Sequence, residues 1–435
     1  MRIKILKPLT IILVIVCIGI ISSIATSEEN QSQGREELYR NISLFSDGFA
    51  LVENDYVDDV DSKDMVYGAL KGMLSSLDPH SQFMDPDTYN ELKVDTTGEF
   101  GGLGIEITIK DGLLAVVTPL EGTPAWSAGL KSGDYIVGID SELTRDITLM
   151  EAVKKLRGKP KTEVKLTVLR EGEEKLLEFK LIREIIKIKD IKESLILGDD
   201  IGYIRLVEFR KDTPQDFRKA INQLKKQGMS SLILDLRNNP GGLLDAAVKV
   251  TEVFLEKGKL IVSTRGRKEE QNMEFVSVNK KADLDLPMIV LINAGSASGS
   301  EIVAAALQDY KRAIILGSKS FGKGSVQTIF PLSDGSAIRL TTSKYFSPKG
   351  QVIHGQGVMP DLVVQEGKIQ LTAKEDTGKS AEEIFQKIEK GEAEEKIAEK
   401  IPEEYLSDNQ LMRAMDVLKA IKIYNPPDYS RTDSE

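Results

Sequence analysis

The spacing of hydrophobic positions changes along the chain, and each change predicts a different kind of structure. From Leu38 to Leu92 apolar residues recur every three to four positions: Leu44, Phe45, Phe49, Leu51 and Val52, then Met65, Val66, Ala69, Leu70, Met73 and Leu74. That is the period of helices burying one face. Asp78-Pro79-His80-Ser81 ends the second of them, because the residue before a proline avoids the helical region. From Gly98 the pattern shortens. Gly101-Gly102-Leu103-Gly104-Ile105-Glu106-Ile107 leads into alternating strands through Val117. Turn-rich segments follow at Gly122 to Ala125, Ala128 to Leu130 and Gly133 to Ile136. A helix from Leu149 to Leu156 and a strand from Val164 to Leu169 close a unit of about ninety residues, a plausible domain size.

From Ile201 the two periods alternate. Strands are predicted at Tyr203–Val207, Ser231–Leu236, Met288–Ile292 and Ala313–Leu316, with helices at Asp216–Lys226, Leu243–Leu255 and Ser300–Gln308. Such alternation predicts an α/β core with a largely parallel sheet. Gln327–Ile329 and Ala337–Tyr345 read as added strands. Beyond Gly367 the chain is rich in Lys and Glu with helical apolar spacing (Ile384, Ile388, Ile397, Leu411, Met415, Leu418, Ile421). This tail is expected to pack on the core or on a second subunit. Chain boundaries are placed at 1–27 (leader), 36–95 (helical), 96–184 (compact strand-rich unit), 185–366 (α/β core) and 367–435 (helical tail), with a short polar linker from Glu28 to Arg35.

The leader changes the picture of where the protein acts. Arg2, Lys4 and Lys7 precede an apolar run from Leu9 to Ile24, followed by small polar residues. That is an export signal, of a length between a cleaved peptide and a membrane anchor. Its lysines keep the N-terminus cytoplasmic and send the remainder outside, periplasmic or anchored to the outer face of the membrane. Cys17, the one cysteine, lies inside it, and bulky Ile15 and Val16 argue against a lipidation site. The body therefore has no disulfide and no thiol nucleophile, and with only His80 and His354 no metal or cofactor is expected. A net charge of −10 argues against nucleic acid as a partner.

Two short stretches carry candidate chemistry. Asn293 to Glu301 puts a run of serines at the start of a helix, and Phe321-Gly322-Lys323-Gly324 holds a lysine between glycines. Ser298 with Glu301 three residues on is a capping box, which alone is structural. The same geometry faces a hydroxyl toward free N–H groups and a positive dipole end, which suit an oxyanion. Lys323 is a solvated loop lysine or, if buried, a neutral amine able to act as a base. Two other patterns overlap it and fail. A phosphate loop needs Ser or Thr where Gly324 stands, and a helix where Val326–Phe330 reads as strand. A Ser-x-x-Lys turn from Ser320 needs a helix that the glycines oppose. His354 is the rival base, with Asp309 or Asp361 as its partner.

The blocks Ser76-Leu77-Asp78-Pro79-His80-Ser81, Asp235 to Gly242, Ser296 to Glu301, Phe321 to Gly324 and His354-Gly355-Gln356-Gly357-Val358 resemble, in the same order, those of carboxyl-terminal processing (tail-specific) proteases. The resemblance covers about residues 40 to 362 and implies an α/β crotonase-like catalytic core with an inserted PDZ domain and helical N- and C-terminal segments. It implies Ser298 as nucleophile, Lys323 as general base and Gln327 as the group orienting the lysine. Gly242 and Gly299 match the oxyanion-hole donors, with glycine at 299 where many members carry alanine. It gives His354 a structural role, and Asp309, close in sequence to the site, is expected to support structure. Gly102, Leu103, Gly104 and Ile105 resemble the loop by which a PDZ domain captures a terminal carboxylate. Arg157 matches an arginine that couples peptide binding to the active site, or is an ordinary helix-end charge. Expected partners are proteins or peptides with free C-termini, with a homo-oligomer and an adaptor protein left open. The competing readings are a silent peptide-binding scaffold and a Ser-His hydrolase using His354.

Overall fold

The computed structural model describes residues 35–198, 200–369 and 402–424. The leader, most of the linker and the apolar positions Ile384, Ile388 and Ile397 lie outside them. Among the described residues, no helix is long and apolar enough to cross a membrane. The chain divides into two compact units between Phe83 and Met84.

The first unit is helical. One helix is in place by residue 35 and runs to 55; a second spans Ser62–Ser75. Asp61 caps the second, its carboxylate accepting from the amides of Lys63 (2.7 Å) and Asp64 (3.3 Å). The turn expected to end this helix follows it, where Asp78 accepts from the amides of His80 and Ser81.

In the second unit the strands Ile105–Lys110, Leu113–Pro119, Tyr135–Ile139, Glu163–Leu169 and Leu177–Ile182 form an antiparallel sheet in that order. The helix Leu149–Leu156 covers it, started by a Thr148–Glu151 capping box. Leu114, Val116, Ile136, Ala152, Leu156 and Val168 fill the space between them. The chain comes to this sheet through the helix Pro86–Thr97 and the strand Glu99–Gly102. It leaves through the strand Glu184–Lys187, which pairs antiparallel with Glu99–Gly102. The two connections are thus zipped to each other.

The α/β core follows. Its sheet runs Ile191–Leu197, Ile201–Leu206, Ser231–Asp235, Met288–Ile292, Ile314–Gly317 and Leu362–Val363. The first pair is antiparallel and every later pair parallel. Alternate residues serve opposite faces, as strand geometry requires. Leu232, Leu234, Val290 and Ile292 meet the helices Thr213–Lys226, Leu244–Glu252 and Gly299–Asp309. Ile233, Ile289 and Leu291 meet Leu411, Ala414, Met415 and Leu418 of the helix Asn409–Tyr424. The far tail therefore packs on the core. A second, antiparallel layer joins Ala337–Phe346 to Ser325–Pro331 on one side and to Leu260–Gly266 and then Glu274–Val276 on the other. Fold and sheet topology together are those of an α/β crotonase-like core carrying an inserted PDZ domain.

Candidate active site

Parallel strands deliver loops to one edge of a sheet, and ligands gather there. Two such loops are stitched together here. The first follows Ser231–Asp235 and reads Asn238-Asn239-Pro240-Gly241-Gly242; the second follows Met288–Ile292 and ends at Ser298. Asn239 is fully buried, donates to the carbonyl of Leu206 (2.9 Å) and accepts from the amide of Gly241 (2.9 Å). Its own carbonyl accepts from the Ser300 hydroxyl (2.9 Å) and the Ala297 amide (3.0 Å). Asn293 accepts from the amides of Asn238 (2.9 Å) and Gly295 (3.0 Å). The loops leave no space between them. A Cβ on Gly241 would sit 2.7 Å from Ser298 Cβ and from the amide nitrogen of Gly299.

Ser298 heads the helix Gly299–Asp309 at φ 51°, ψ −110°, a conformation side chains other than glycine rarely adopt. The capping box is only half used as a cap. Ser298 N–H donates to the Glu301 carboxylate (2.8 Å), but the Glu301 amide bonds the Ser298 carbonyl (2.9 Å) rather than its hydroxyl. The hydroxyl shares its cleft with Tyr345. Burial pushes the Tyr345 phenol up to about 12, against the opposite pull of Ser298, so it is protonated at neutral pH.

Ser298, Lys323, Gln327 and Tyr345 line one cleft of about 540 Å³. Gly241, Gly242, Leu243 and Arg339 border it as well. Burial pulls the Lys323 ammonium below the ordinary lysine value, and the Arg339 guanidinium adds repulsion. A lysine in that state can accept a proton from a neighbouring hydroxyl. The flanking glycines serve close approach: a Cβ on Gly324 would lie 2.2 Å from the amide nitrogen of His354. Gln327 lines the cleft with its Nε2 donating to Ser325 Oγ at 2.8 Å. Gly299 follows Ser298 and Gly242 (φ 137°) lines the same cleft, and neither amide has an acceptor among the described residues. Two free amides beside a hydroxyl can stabilise an oxyanion. A Cβ at Gly299 would lie 3.1 Å from the Phe209 ring and 3.2 Å from Ala247 Cβ, so an alanine there requires these neighbours to give by a few tenths of an ångström.

Glu301 does more than cap. Wholly buried, its carboxylate also accepts from the Ser320 hydroxyl (2.5 Å) and the amides of Gly322 (2.6 Å) and Lys323 (2.8 Å). One side chain therefore holds the serine loop and the lysine loop in register. The Ser-x-x-Glu spacing signalled half of this; the partners from 320 to 323 are long-range and left no local trace. Tyr345 likewise had no signal in sequence.

His354 is not among the residues lining the cleft, and its Nδ1 is buried without a partner among the described residues. Asp309 accepts from the Ser347 hydroxyl (2.7 Å) and the Lys349 amide (2.9 Å), bordering a different cavity. In the PDZ domain, Gly102, Leu103, Gly104 and Ile105 line a small, mainly apolar cavity of about 80 Å³ with Phe100, Val153 and Leu156. The carbonyls of Leu103 and Gly104 are taken by the amides of Ala125 (3.0 Å) and Leu120 (2.8 Å), which fixes the loop. Arg157 closes the helix Leu149–Leu156 and lies over the Phe100 ring at 4.4 Å.

Comparison with known proteins agrees with this architecture. The profile of peptidase family S41 matches residues 200–364, that of the PDZ domain residues 116–170, and that of the activating protease CtpB N-terminal domain residues 20–88. A carboxy-terminal-processing protease of Bartonella bacilliformis is 46% identical over 351 residues, 79% of this chain and 80% of its own. One of Synechocystis is 41% identical over 311 residues, 70% of this chain and 72% of its own. The solved photosystem II D1 C-terminal processing protease is 30% identical, with a TM-score of 0.43, over 74% of this chain and 92% of its own. The class is thus a serine-type peptide hydrolase with a peptide-binding PDZ domain. More narrowly, the chain belongs to the carboxyl-terminal-processing proteases of peptidase family S41.

Proposed function

We propose that this protein is an endopeptidase that captures the free C-terminus of exported proteins in its PDZ groove and cleaves nearby with a Ser298–Lys323 pair. The observation that carries the reading is Lys323, drawn toward the neutral amine by burial and Arg339 in the cleft that Ser298 faces. Ser298 Oγ attacks the scissile carbonyl carbon as the lysine amine takes its proton. Gly242 and Gly299 N–H groups receive the charge on the carbonyl oxygen. The ammonium then gives its proton to the departing amine, and water, activated by the same lysine, hydrolyses the acyl-enzyme. Gln327, within the same cleft, orients the lysine. Gly102 to Ile105 hold the tail carboxylate through main-chain amides, with the apolar cavity taking the last side chain. Residues 96–184 and 185–366 are read as the capturing and cutting domains. The leader implies export and membrane association, and the apolar residues exposed on the helix 35–55, Leu38 and Phe45 among them, favour a homo-oligomer.

The test is cleavage of an unfolded reporter with an apolar free C-terminus, against the same reporter amidated. Ser298→Ala and Lys323→Ala should each remove turnover by roughly 10⁴-fold or more with the fold intact, and His354→Ala should retain activity. If His354→Ala is inert while Lys323→Ala still turns over, the base is the imidazole. A protein that binds the tail and cleaves nothing is a scaffold.

A further inference from the structure

Both connections of the PDZ domain converge on one arginine of the protease core. Arg210 Nε donates to the carbonyl of Asp95, in the helix that leads into the domain (2.8 Å). Its Nη1 pairs with the Asp190 carboxylate, on the segment that leads out. Its Nη2 pairs with Glu208, which borders the candidate catalytic cleft. Asp190 also accepts from the Thr213 hydroxyl, which in turn accepts the Arg210 amide (2.8 Å). The inbound chain runs flush against this side chain: a Cβ on Gly98 would lie 2.7 Å from Arg210 Cδ. Main-chain bonds lock the same junction, from Val207 N–H to Asp190 (2.8 Å) and from Lys211 N–H to Thr96 (3.4 Å).

One residue earlier, the chain reaches the glycine turn. Phe209 N–H donates to the Gly241 carbonyl (2.8 Å), and its own carbonyl accepts from Leu243 N–H (2.7 Å). Gly242 is pressed so closely on Phe209 that a Cβ would fall 2.1 Å from that carbonyl oxygen. The Phe209 ring also borders Gly299, 3.1 Å from where a Cβ would stand. Both candidate oxyanion donors therefore rest on Phe209, whose neighbour in the chain holds both PDZ connections. Arg210 and Asp190 keep only 11% and 6% of their side-chain surface exposed, so the junction yields by rearranging its partners rather than by drifting into water.

We propose that Arg210 is a positioning residue that couples tail capture by the PDZ domain to the placement of the Gly242 and Gly299 amides. A tail seated in the groove favours one setting of the two zipped connections, and Arg210 passes that preference through Phe209 to the glycine turn. The inference rests on the proteolytic reading given above. An ion cluster that only stabilises the fold would lower all turnover alike. A coupling residue instead governs how much a free tail accelerates cleavage.

The experiment uses the full chain and the same peptide with a free or an amidated apolar C-terminus. kcat and KM are measured for both, and binding of the free tail is measured on the Ser298→Ala background. Arg210→Met is expected to shrink the free-to-amidated ratio of kcat/KM by roughly tenfold or more, mainly through kcat, with the tail still bound. A ratio equal to that of wild type, with both rates lowered alike, overturns the proposal. Should Arg210→Met not fold, Asp190→Asn carries the test with the same two outcomes, since it removes the charge of the outbound arm and leaves Glu208 and Asp95 on the arginine. A wild type that cleaves neither peptide takes the proteolytic reading down with it. A wild type with a tail preference that both variants keep sinks only the coupling.

Discussion

Glycines meet different demands around Ser298 and in the turns of the PDZ sheet. At Gly241, Gly242, Gly295 and Gly324 a Cβ would lie 2.1 to 2.7 Å from another atom, closer than real Cβ contacts allow. At Gly112, Gly122, Gly129, Gly133 and Gly172 the φ is positive, but nothing stands within 4 Å. The first group lets segments touch; the second only lets the chain turn. The PDZ domain has crowded glycines as well, at Gly101, Gly102, Gly104 and Gly158, where a Cβ would lie 2.0 to 2.9 Å from another atom. Of these, Gly102 and Gly104 line the small apolar cavity, and a Cβ on Gly104 would lie 2.3 Å from Thr123. Crowding by itself marks close packing, as at Gly202, Gly266 and Gly317 away from both cavities; at Gly242 and Gly104 the packed backbone also lines a cavity.

Among the glycines the largest effect should follow at Gly242, below the loss expected at Ser298 or Lys323 themselves. In Gly242→Ala the methyl must displace the Phe209 carbonyl, and the amide beside Ser298 moves with it. Loss of one oxyanion donor costs roughly 10² to 10³ in kcat, and KM for a tailed substrate should change little. Steady-state kinetics would refute the contrast if Gly242→Ala cleaved as well as a substitution in an open PDZ turn.

Next comes the ion pair under the PDZ sheet. Asp134 is buried beside Arg170, with bonds from Nε (2.7 Å) and Nη2 (2.8 Å) and another from the Lys131 amide (2.8 Å). Burial alone would raise its pKa, but these donors outweigh it and leave the pKa below 3.8. A depressed carboxylate contributes stability that is complete above the ordinary value and is lost as pH falls through the folded one. Asp134→Asn should therefore destabilise the domain at neutral pH by roughly 3 kcal/mol and flatten its acid unfolding. Chemical denaturation at several pH values measures both. An unchanged acid limb would show that another group sets it.

The cleft should respond at the other end of the pH scale. Lys323 must be neutral to accept a proton, and its pKa lies below 10.5 because burial and Arg339 disfavour the ammonium. kcat/KM should rise about tenfold per pH unit until pH passes that lowered value, then level off. Removing Arg339 by Arg339→Met should move the midpoint up. A midpoint that stays put would separate the lysine from the observed limb.

Much of this was legible from residue patterns because the signals were local. Met288–Ile292 is buried on both faces and reads as an unbroken apolar run, and Leu149–Leu156 buries one face at helical spacing. Ser298 and Lys323 stood out through their immediate neighbours, a helix start and two glycines. What escaped was long-range. The strands Leu177–Ile182 and Glu184–Lys187 carry two charged residues each, in six and in four positions, and gain their state from partners elsewhere along the chain. The reach of Glu301 to the lysine loop, the place of Tyr345 in the cleft of Ser298 and the Arg210 junction join segments whose proximity only the fold creates. Local periodicity carries no information about which distant amide a carboxylate will find.

The smallest effect should be at Gly129, and its smallness is the sharper test of the distinction. Gly129 has φ 84° with open space around it, and its carbonyl accepts from Arg170 (2.8 Å). An alanine there meets no atom, so the cost is the backbone conformation alone, about 1 kcal/mol. Tail affinity and turnover in Gly129→Ala should match wild type, with only the denaturation midpoint lowered. Gly104→Ala, by contrast, must push Thr123 aside in the loop that lines the groove, so it should weaken tail binding far more than its cost in stability. If both substitutions lowered stability and tail affinity in the same proportion, crowding would have no special tie to function. The two kinds of glycine would then differ only in how much strain they carry.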